Sequence, residues 1–227
     1  MAIPDSISAS IQDYAKAVYA LEARAGAAVS TNDLAARLGV TPGSVSGMVR
    51  KLVDGGLVEH QPYRGVRLTN RGRRVALEVL RHHRLLELFL AEELGVPWDR
   101  VHDEAEILEH VLSEDLERRI AARLGNPTVD PHGDPIPTDQ FEIDEGQTMS
   151  LDDLPTGTVG RFVRVSDSDP EMLRYLSQQG IELGDRVEVT GRQPFGGPVF
   201  LRVDHRELPL GGRLAQAMRI EVSGRRR

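Results

Sequence analysis

In the amino-terminal stretch apolar residues recur at Ile11, Tyr14, Ala15, Val18 and Leu21, a spacing that predicts an amphipathic helix over 10–24 ending near Gly26. Ser30 opens a short second helix over 32–38 that Gly39 closes. Thr41 caps a third helix, which begins at Pro42 and stops at Gly55-Gly56. Two short helices joined by Gly39-Val40-Thr41 form a helix-turn-helix signature. Two short strands, 57–60 and 66–69, flank the turn residues Pro62-Tyr63-Arg64-Gly65 and predict a β-wing.

The helical rhythm resumes from Asn70 to Leu94, ends at Gly95, and returns from Trp98 to Leu124, where Gly125-Asn126-Pro127 stops it. At about 100° per residue, Val101, Ala105, Leu108, Leu112, Leu116 and Ile120 form a core stripe on this last helix. His102, Glu106, Glu109 and His110 adjoin it on one face. The apolar surface of 85–124, with Leu88, Phe89, Leu112 and Leu116, supplies candidate dimer contacts. Prolines and Asp/Gly turns then interrupt the pattern over 126–156, which places a boundary within 138–155. Strands over 157–165, 186–193 and 198–203, with a helix over 169–179, predict a small β-barrel at the end of the chain.

Composition narrows the chemistry. No stretch approaches the roughly 20 apolar residues of a membrane span, and residues 1–13 lack the regions of a signal peptide, so a cytoplasmic location is expected and no membrane partner. Cysteine is absent, which excludes disulfides, thiol nucleophiles and Cys-type zinc or iron–sulfur sites. The net charge of −7 is unevenly spread: residues 1–75 hold 10 Lys/Arg against 6 Asp/Glu, and 76–227 hold 18 against 29. A basic module on an acidic body suits a DNA reader joined to a carboxylate-rich sensor. On the third helix Val45, Val49 and Leu52 form the inward stripe, leaving Thr41, Ser44, Ser46, Arg50 and Lys51 to face the major groove and phosphates. Arg64 and Arg67 of the wing add phosphate contacts. The rival reading of this unit is a protein–protein module. The Arg225-Arg226-Arg227 tail reads as a solvated end.

The helix over 70–94 carries His83 and Glu87 at i, i+4, so with His102, Glu106, Glu109 and His110 two helices offer six donors. Carboxylates beside an apolar stripe are costly unless paired or coordinated. Carboxylate and imidazole donors without thiolate suit Mn(II) or Fe(II), with Co(II) or Zn(II) as surrogates. Asp103, Glu104, Glu114, Asp115 and Glu117 read as solvated surface, and His60, His82, His132 and His205 as isolated histidines.

The runs HHRLLELFL at 82–90, VHDEAEILEHVLSE at 101–114 and DPHGDPIP at 130–137, downstream of a winged helix, resemble the DtxR/MntR family of metal-dependent transcriptional repressors. The closest likeness is to the manganese-responsive branch with a C-terminal SH3-like (FeoA-type) domain. The resemblance implies a mainly α fold with small β. It comprises a winged helix-turn-helix DNA-binding domain (1–75), a helical metal-binding and dimerisation domain (76–145), and a linker with an SH3-like β-barrel (146–227). It implies a non-enzymatic repressor of metal-homeostasis genes that binds palindromic double-stranded operators as a homodimer. A first metal site maps onto Asp13, Glu106, Glu109 and His110. The iron-responsive branch carries methionine and cysteine at the positions of Asp13 and Glu106, so two hard donors here favour Mn(II), with an Fe(II)-dependent repressor of iron uptake as the alternative. A second site maps onto His83, Glu87 and His102, completed by Asp169, or by the neighbouring Glu171. Lys16 stands where shorter manganese regulators carry glutamate, so their two-metal cluster is not expected. Two other readings are a metal-dependent hydrolase, for which no HExxH or phosphate loop is present, and a winged-helix regulator responding to a small organic ligand.

Overall fold

Helix caps set the amino-terminal elements of the computed structural model, which describes residues 7–61 and 64–222. α1 (Ala9–Ala25) ends at Gly26, whose left-handed backbone turns its N–H onto Glu22 O. α2 (Thr31–Leu38) starts where the Ser30 hydroxyl accepts from the Asp33 N–H, and α3 (Pro42–Asp54) where Thr41 accepts from the Ser44 N–H. β1 (Val58–Gln61) and β2 (Gly65–Leu68) pair antiparallel, and Val66 also bridges Val29. Pro62 and Tyr63 of the wing turn, and the Arg225-Arg226-Arg227 tail, lie outside the described residues.

α4 (Asn70–Leu94) begins beside the wing, and its first turn cannot carry a side chain at Gly72, where a Cβ would meet Leu57 O at 1.9 Å. The helix expected over 98–124 is two helices, α5 (Val101–Leu108) and α6 (Glu114–Arg123). The break is written locally: Ser113 caps α6 by accepting from the Leu116 N–H, and Glu114, Asp115 and Glu117 place negative charge at the positive end of the new helix. The break also divides the expected core stripe. Val101, Ala105 and Ile120 are buried, whereas Leu108 and Leu116 are exposed beside Ile107 and Val111. Of the other candidate dimer contacts, Leu88 is buried and Phe89 and Leu112 half-buried.

The chain forms two compact units. The first comprises Met1–Leu86, Ala105–Asn126 and Ile136–Ile143, around a core that includes Val18, Leu34, Val45, Leu52 and Leu77. Within it the expected surface residue Glu117 is buried, its Oε1 accepting from Arg81 Nε at 2.6 Å, and Arg81 donates also to Pro137 O at 2.6 Å. His82, expected to stand alone, is buried with Nε2 3.4 Å from Glu117 Oε2 and Nδ1 3.2 Å from Glu109 O.

The second unit comprises Glu87–Glu104, Pro127–Pro135 and Asp144–Arg227. β3 (Met149–Ser150), β4 (Val159–Val165), β5 (Arg186–Arg192), β6 (Val199–Val203), β7 (Arg206–Leu210) and β8 (Met218–Val222) form one sheet in the order β3-β8-β4-β5-β6-β7. Every neighbouring pair is antiparallel, and bulges at Phe162/Arg164 and Val189/Gly191 help the sheet curl in the SH3-like manner. α7 (Pro170–Gln179) and α8 (Gly212–Ala217) complete the unit, with Phe162, Leu173, Leu176, Leu201, Leu210 and Met218 fully buried. The loop 130–135 packs against β4: Val165 N–H donates to His132 O, and Gly133, at φ +83°, lies where a Cβ would meet Val163 O at 1.9 Å.

Candidate metal centres and DNA-reading surface

The first unit gathers α1, α4, α5 and the turn after α5 around one set of donors. α1 presents Asp13 and Lys16, α4 His83, α5 Glu106, and the turn Glu109 and His110. Asp13 Oδ1 lies 2.9 Å from His110 Nε2, which is 3.6 Å from Glu109 Oε1. Lys16 Nζ lies 2.6 Å from both Glu106 Oε1 and Glu109 Oε1, while His83 Nδ1 hydrogen-bonds Glu109 Oε2. Burial raises the Asp13 carboxyl above its ordinary range, partly offset by His110 and Lys16. Burial also pushes Glu109 up, but the His83 hydrogen bond and the Lys16 charge outweigh it and hold Glu109 below the usual range. For Lys16, burial works against the charge, and Glu109 and Glu106 more than compensate.

Gln12, which the sequence pattern did not single out, fixes the His110 ring. The Gln12 amide nitrogen donates to Ile7 O at 3.1 Å, so its Oε1 is the atom 2.7 Å from His110 Nδ1. An amide oxygen only accepts, so Nδ1 carries the hydrogen, and in the neutral ring the Nε2 lone pair faces Asp13 Oδ1. That buried oxygen has no hydrogen bond among the described residues. An imidazole nitrogen and a carboxylate oxygen 2.9 Å apart, with two further carboxylates beside them, are the oxygen and nitrogen donors a divalent cation takes, so the donor set fits a metal.

In the second unit Glu87 of α4, His102 of α5 and Asp167 converge. His102 Nδ1 lies 2.9 Å from Asp167 Oδ2 and 3.4 Å from Glu87 Oε1. Hydrogen bonding to Asp167 and Glu87, against the opposing effect of burial, pushes His102 from 6.5 up to about 10. Burial raises Asp167, but His102 outweighs it and holds that carboxyl below its ordinary value. His132, expected to be isolated, is fully buried here with Nδ1 3.9 Å from Glu87 Oε2. Its Nε2 donates to Trp98 O at 2.7 Å, and its Nδ1 has no hydrogen bond among the described residues. Asp130 Oδ1 shapes the loop by accepting from the His132 and Asp134 N–H groups at 2.8 and 2.9 Å. Glu87, Asp130 and His132 offer a further set of donor atoms within 4.8 Å of one another.

The acids expected from the last domain lie away from His102 in other contacts. Asp169 is the N-cap of α7, accepting from the Glu171 N–H at 3.1 Å and lying 3.1 Å from Arg213, and Glu171 is solvent-exposed. Asp167, two residues earlier, takes the place at His102. A signal was available: the residue before a helix-opening proline is the capping position, so Asp169 was already committed to capping α7.

On the candidate DNA-reading helix α3, Val45, Val49 and Leu52 are buried as the pattern predicted, and Thr41, Ser44, Ser46, Arg50 and Lys51 are all exposed. The Thr41 and Ser44 hydroxyls lie 3.0 Å apart, and Ser46 Oγ donates to Pro42 O at 3.0 Å, so part of each hydroxyl's capacity is spent within the helix. Arg64 and Arg67 are exposed on the wing.

Three family models tile the chain. They are the iron dependent repressor N-terminal DNA binding domain at residues 6–66, the iron dependent repressor metal binding and dimerisation domain at 69–138, and the FeoA domain at 149–222. The iron-dependent repressor IdeR of Mycobacterium tuberculosis (strain ATCC 25618 / H37Rv) is 32% identical over 220 residues, covering 92% of this chain and 95% of that protein. The diphtheria toxin repressor of Corynebacterium glutamicum is 32% identical over 219 residues, covering 92% and 94%. A solved manganese-dependent transcriptional repressor in complex with manganese is 42% identical, with a TM-score of 0.89 over 94% of this chain and 100% of that one. With relatives matched end to end and carboxylates and imidazoles gathered in both units, the chain belongs to the DtxR-type family of metal-dependent transcriptional repressors.

Proposed function

We propose that this repressor is activated by Mn(II), and that the ion acts by tying α1 to the segment 106–110. The first ion is held by Asp13, Glu106, Glu109 and His110. The second is held by Glu87, His102 and Asp167, with His132 and Asp130 beside them and His83 one helical turn before Glu87 on α4. The observation that carries the reading is the Asp13 Oδ1–His110 Nε2 pair: two potential ligand atoms from separate elements 2.9 Å apart, with Gln12 accepting from the imidazole Nδ1–H on the far side. Hard oxygen donors where a thiolate or thioether would favour softer ions support manganese. The similarity to a manganese-dependent repressor points the same way.

The bound metal supplies a fixed positive centre, and the residues around it do the positioning. Asp13 moves with α1, which belongs to the DNA-reading helices, whereas Glu106, Glu109 and His110 belong to the metal-binding and dimerisation segment. Joining them favours one orientation of the reading helix. To make a hundredfold-rare competent state hundredfold-common, metal has to prefer it by about 5.5 kcal/mol. In a two-fold dimer, built on the exposed Ile107, Leu108, Val111 and Leu116, the paired α3 helices then match a palindromic operator in the cytoplasm. Arg50, Lys51, Arg64 and Arg67 neutralise phosphates, and Thr41, Ser44 and Ser46 lie where base edges and backbone are met.

The second reading is Fe(II) activation, favoured by the names of the mycobacterial and corynebacterial relatives. A gel-shift assay at fixed salt against Mn(II), Fe(II) under anaerobic conditions, Co(II) and Zn(II) separates the two. Mn(II) activation at the lowest free concentration relative to its cellular supply supports the proposal. Activation by Fe(II) with none by Mn(II) overturns it.

A further inference from the structure

The Lys16 side chain runs from α1 into the carboxylates that, on the reading above, take the first ion. It is only 16% exposed, and its ammonium contacts Glu106 Oε1 and Glu109 Oε1 at 2.6 Å each. Glu109 is wholly buried, and its other oxygen is on His83. Both oxygens of this carboxylate are therefore engaged by the protein's own groups. A divalent ion approaching from Asp13 and His110 meets two carboxylates already sharing one cation, which sits on the same helix as Asp13. Because that cation is tethered, its local concentration does not fall on dilution. Two like charges sharing two carboxylates also repel, more strongly in a partly buried site than in water.

We propose that Lys16 is a built-in competitor of the metal: its ammonium pairs with Glu106 and Glu109 in the metal-free protein and withdraws before both carboxylates turn to a divalent ion. The proposal rests on the assignment of the first ion to these residues. Lysine suits this work because a strongly hydrated point charge on a flexible stem releases a carboxylate readily and finds water outside. Lys16 thereby raises the metal concentration at which the repressor switches, and keeps the acids from repelling one another when metal is scarce.

Free Mn(II) measured by electron paramagnetic resonance during titration of the full chain tests this. Wild type, Lys16→Gln, Lys16→Arg and Glu106→Ala are compared, and each metal-free protein is also melted. Glu106→Ala identifies the first ion as the class of binding that disappears. For that class Lys16→Gln is expected to bind about tenfold tighter, the scale of one partly buried ion pair that no longer has to be broken. Its metal-free form is expected to melt lower than wild type. Lys16→Arg, whose planar fork grips carboxylates in pairs, is expected to bind the metal no tighter than wild type. Should Lys16→Gln fail to fold, Lys16→Met carries the same expectation while keeping the aliphatic stem. Lys16→Gln binding no tighter than wild type, while Glu106→Ala loses the ion, overturns the proposal and leaves the metal site standing. Wild-type Mn(II) binding by Glu106→Ala overturns the site assignment and the proposal with it.

Discussion

The two donor clusters solve one electrostatic problem in different ways. Around Glu109 the counter-charge in the metal-free protein is the Lys16 ammonium, and around Glu87 and Asp167 it is the protonated His102 ring. The difference lies in what an incoming ion displaces. At the first cluster the ammonium swings away still charged, so Lys16 takes part in the exchange without giving up a proton. If His102 holds an ion at the second, its coordinating imidazole would have to be neutral, and binding would release a proton from His102. On the proposed assignment, a tethered competitor would tune the first cluster and pH the second.

The largest expected effect that breaks this pairing is removal of a donor. Glu106→Ala should weaken the first ion by about 100-fold or more, since even outer-shell losses cost about 10–100-fold. Metal-dependent operator binding should go with it while the circular dichroism spectrum stays folded. Gln12→Leu should cost about 10–100-fold in affinity for the same ion without touching a donor, because His110 loses the acceptor that fixes its tautomer. Calorimetric titration checks both.

The next effect sharpens the comparison. In Glu106→Ala, where the second cluster is left to report alone, Mn(II) affinity should rise about tenfold per pH unit between pH 6.5 and 8.5, one proton being released per ion. Calorimetry in buffers of differing ionisation enthalpy counts that proton. The sign for stability is opposite: with His102 raised from 6.5 to about 10, its pairing with Asp167 and Glu87 stabilises the metal-free fold below pH 6.5 and is lost as pH rises through about 10. The smallest effect is Arg50→Ala, which should lower operator affinity by a few-fold, reduce the salt slope by about one and leave metal affinity unchanged.

Much of the fold was legible because caps and periodicity agree. Ser30, Gly39, Thr41 and Pro42 bracket α2 and α3 where the structure has them. The helix break at Glu109–Ser113 was missed because an angular count carries straight through a turn, although Ser113-Glu114-Asp115 is itself a helix-start signal. The pattern also missed β7, α8 and β8: Pro209 interrupts β7, and six residues leave α8 too short for a helical period to show. At the site, donors on regular elements such as His83, Glu87, His102 and Glu106 could be picked by spacing. Asp167, Asp130 and His132 lie in loops, and their meeting depends on the packing of 130–135 against β4. Helical periodicity also could not foresee that Glu117 and His82 are buried partners: one polar residue on a helix looks the same whether it faces water or another chain segment.

On the proposed reading an ion joins α1 to the segment 106–110 and so sets the reading helices. The most direct test is the operator affinity of one preparation at fixed salt, first stripped of metal by chelation and then loaded with Mn(II). The account predicts a gain of at least about a hundredfold on loading, the size of switch that a few kcal/mol of preferential binding supplies. Equal affinity in the two states would contradict it.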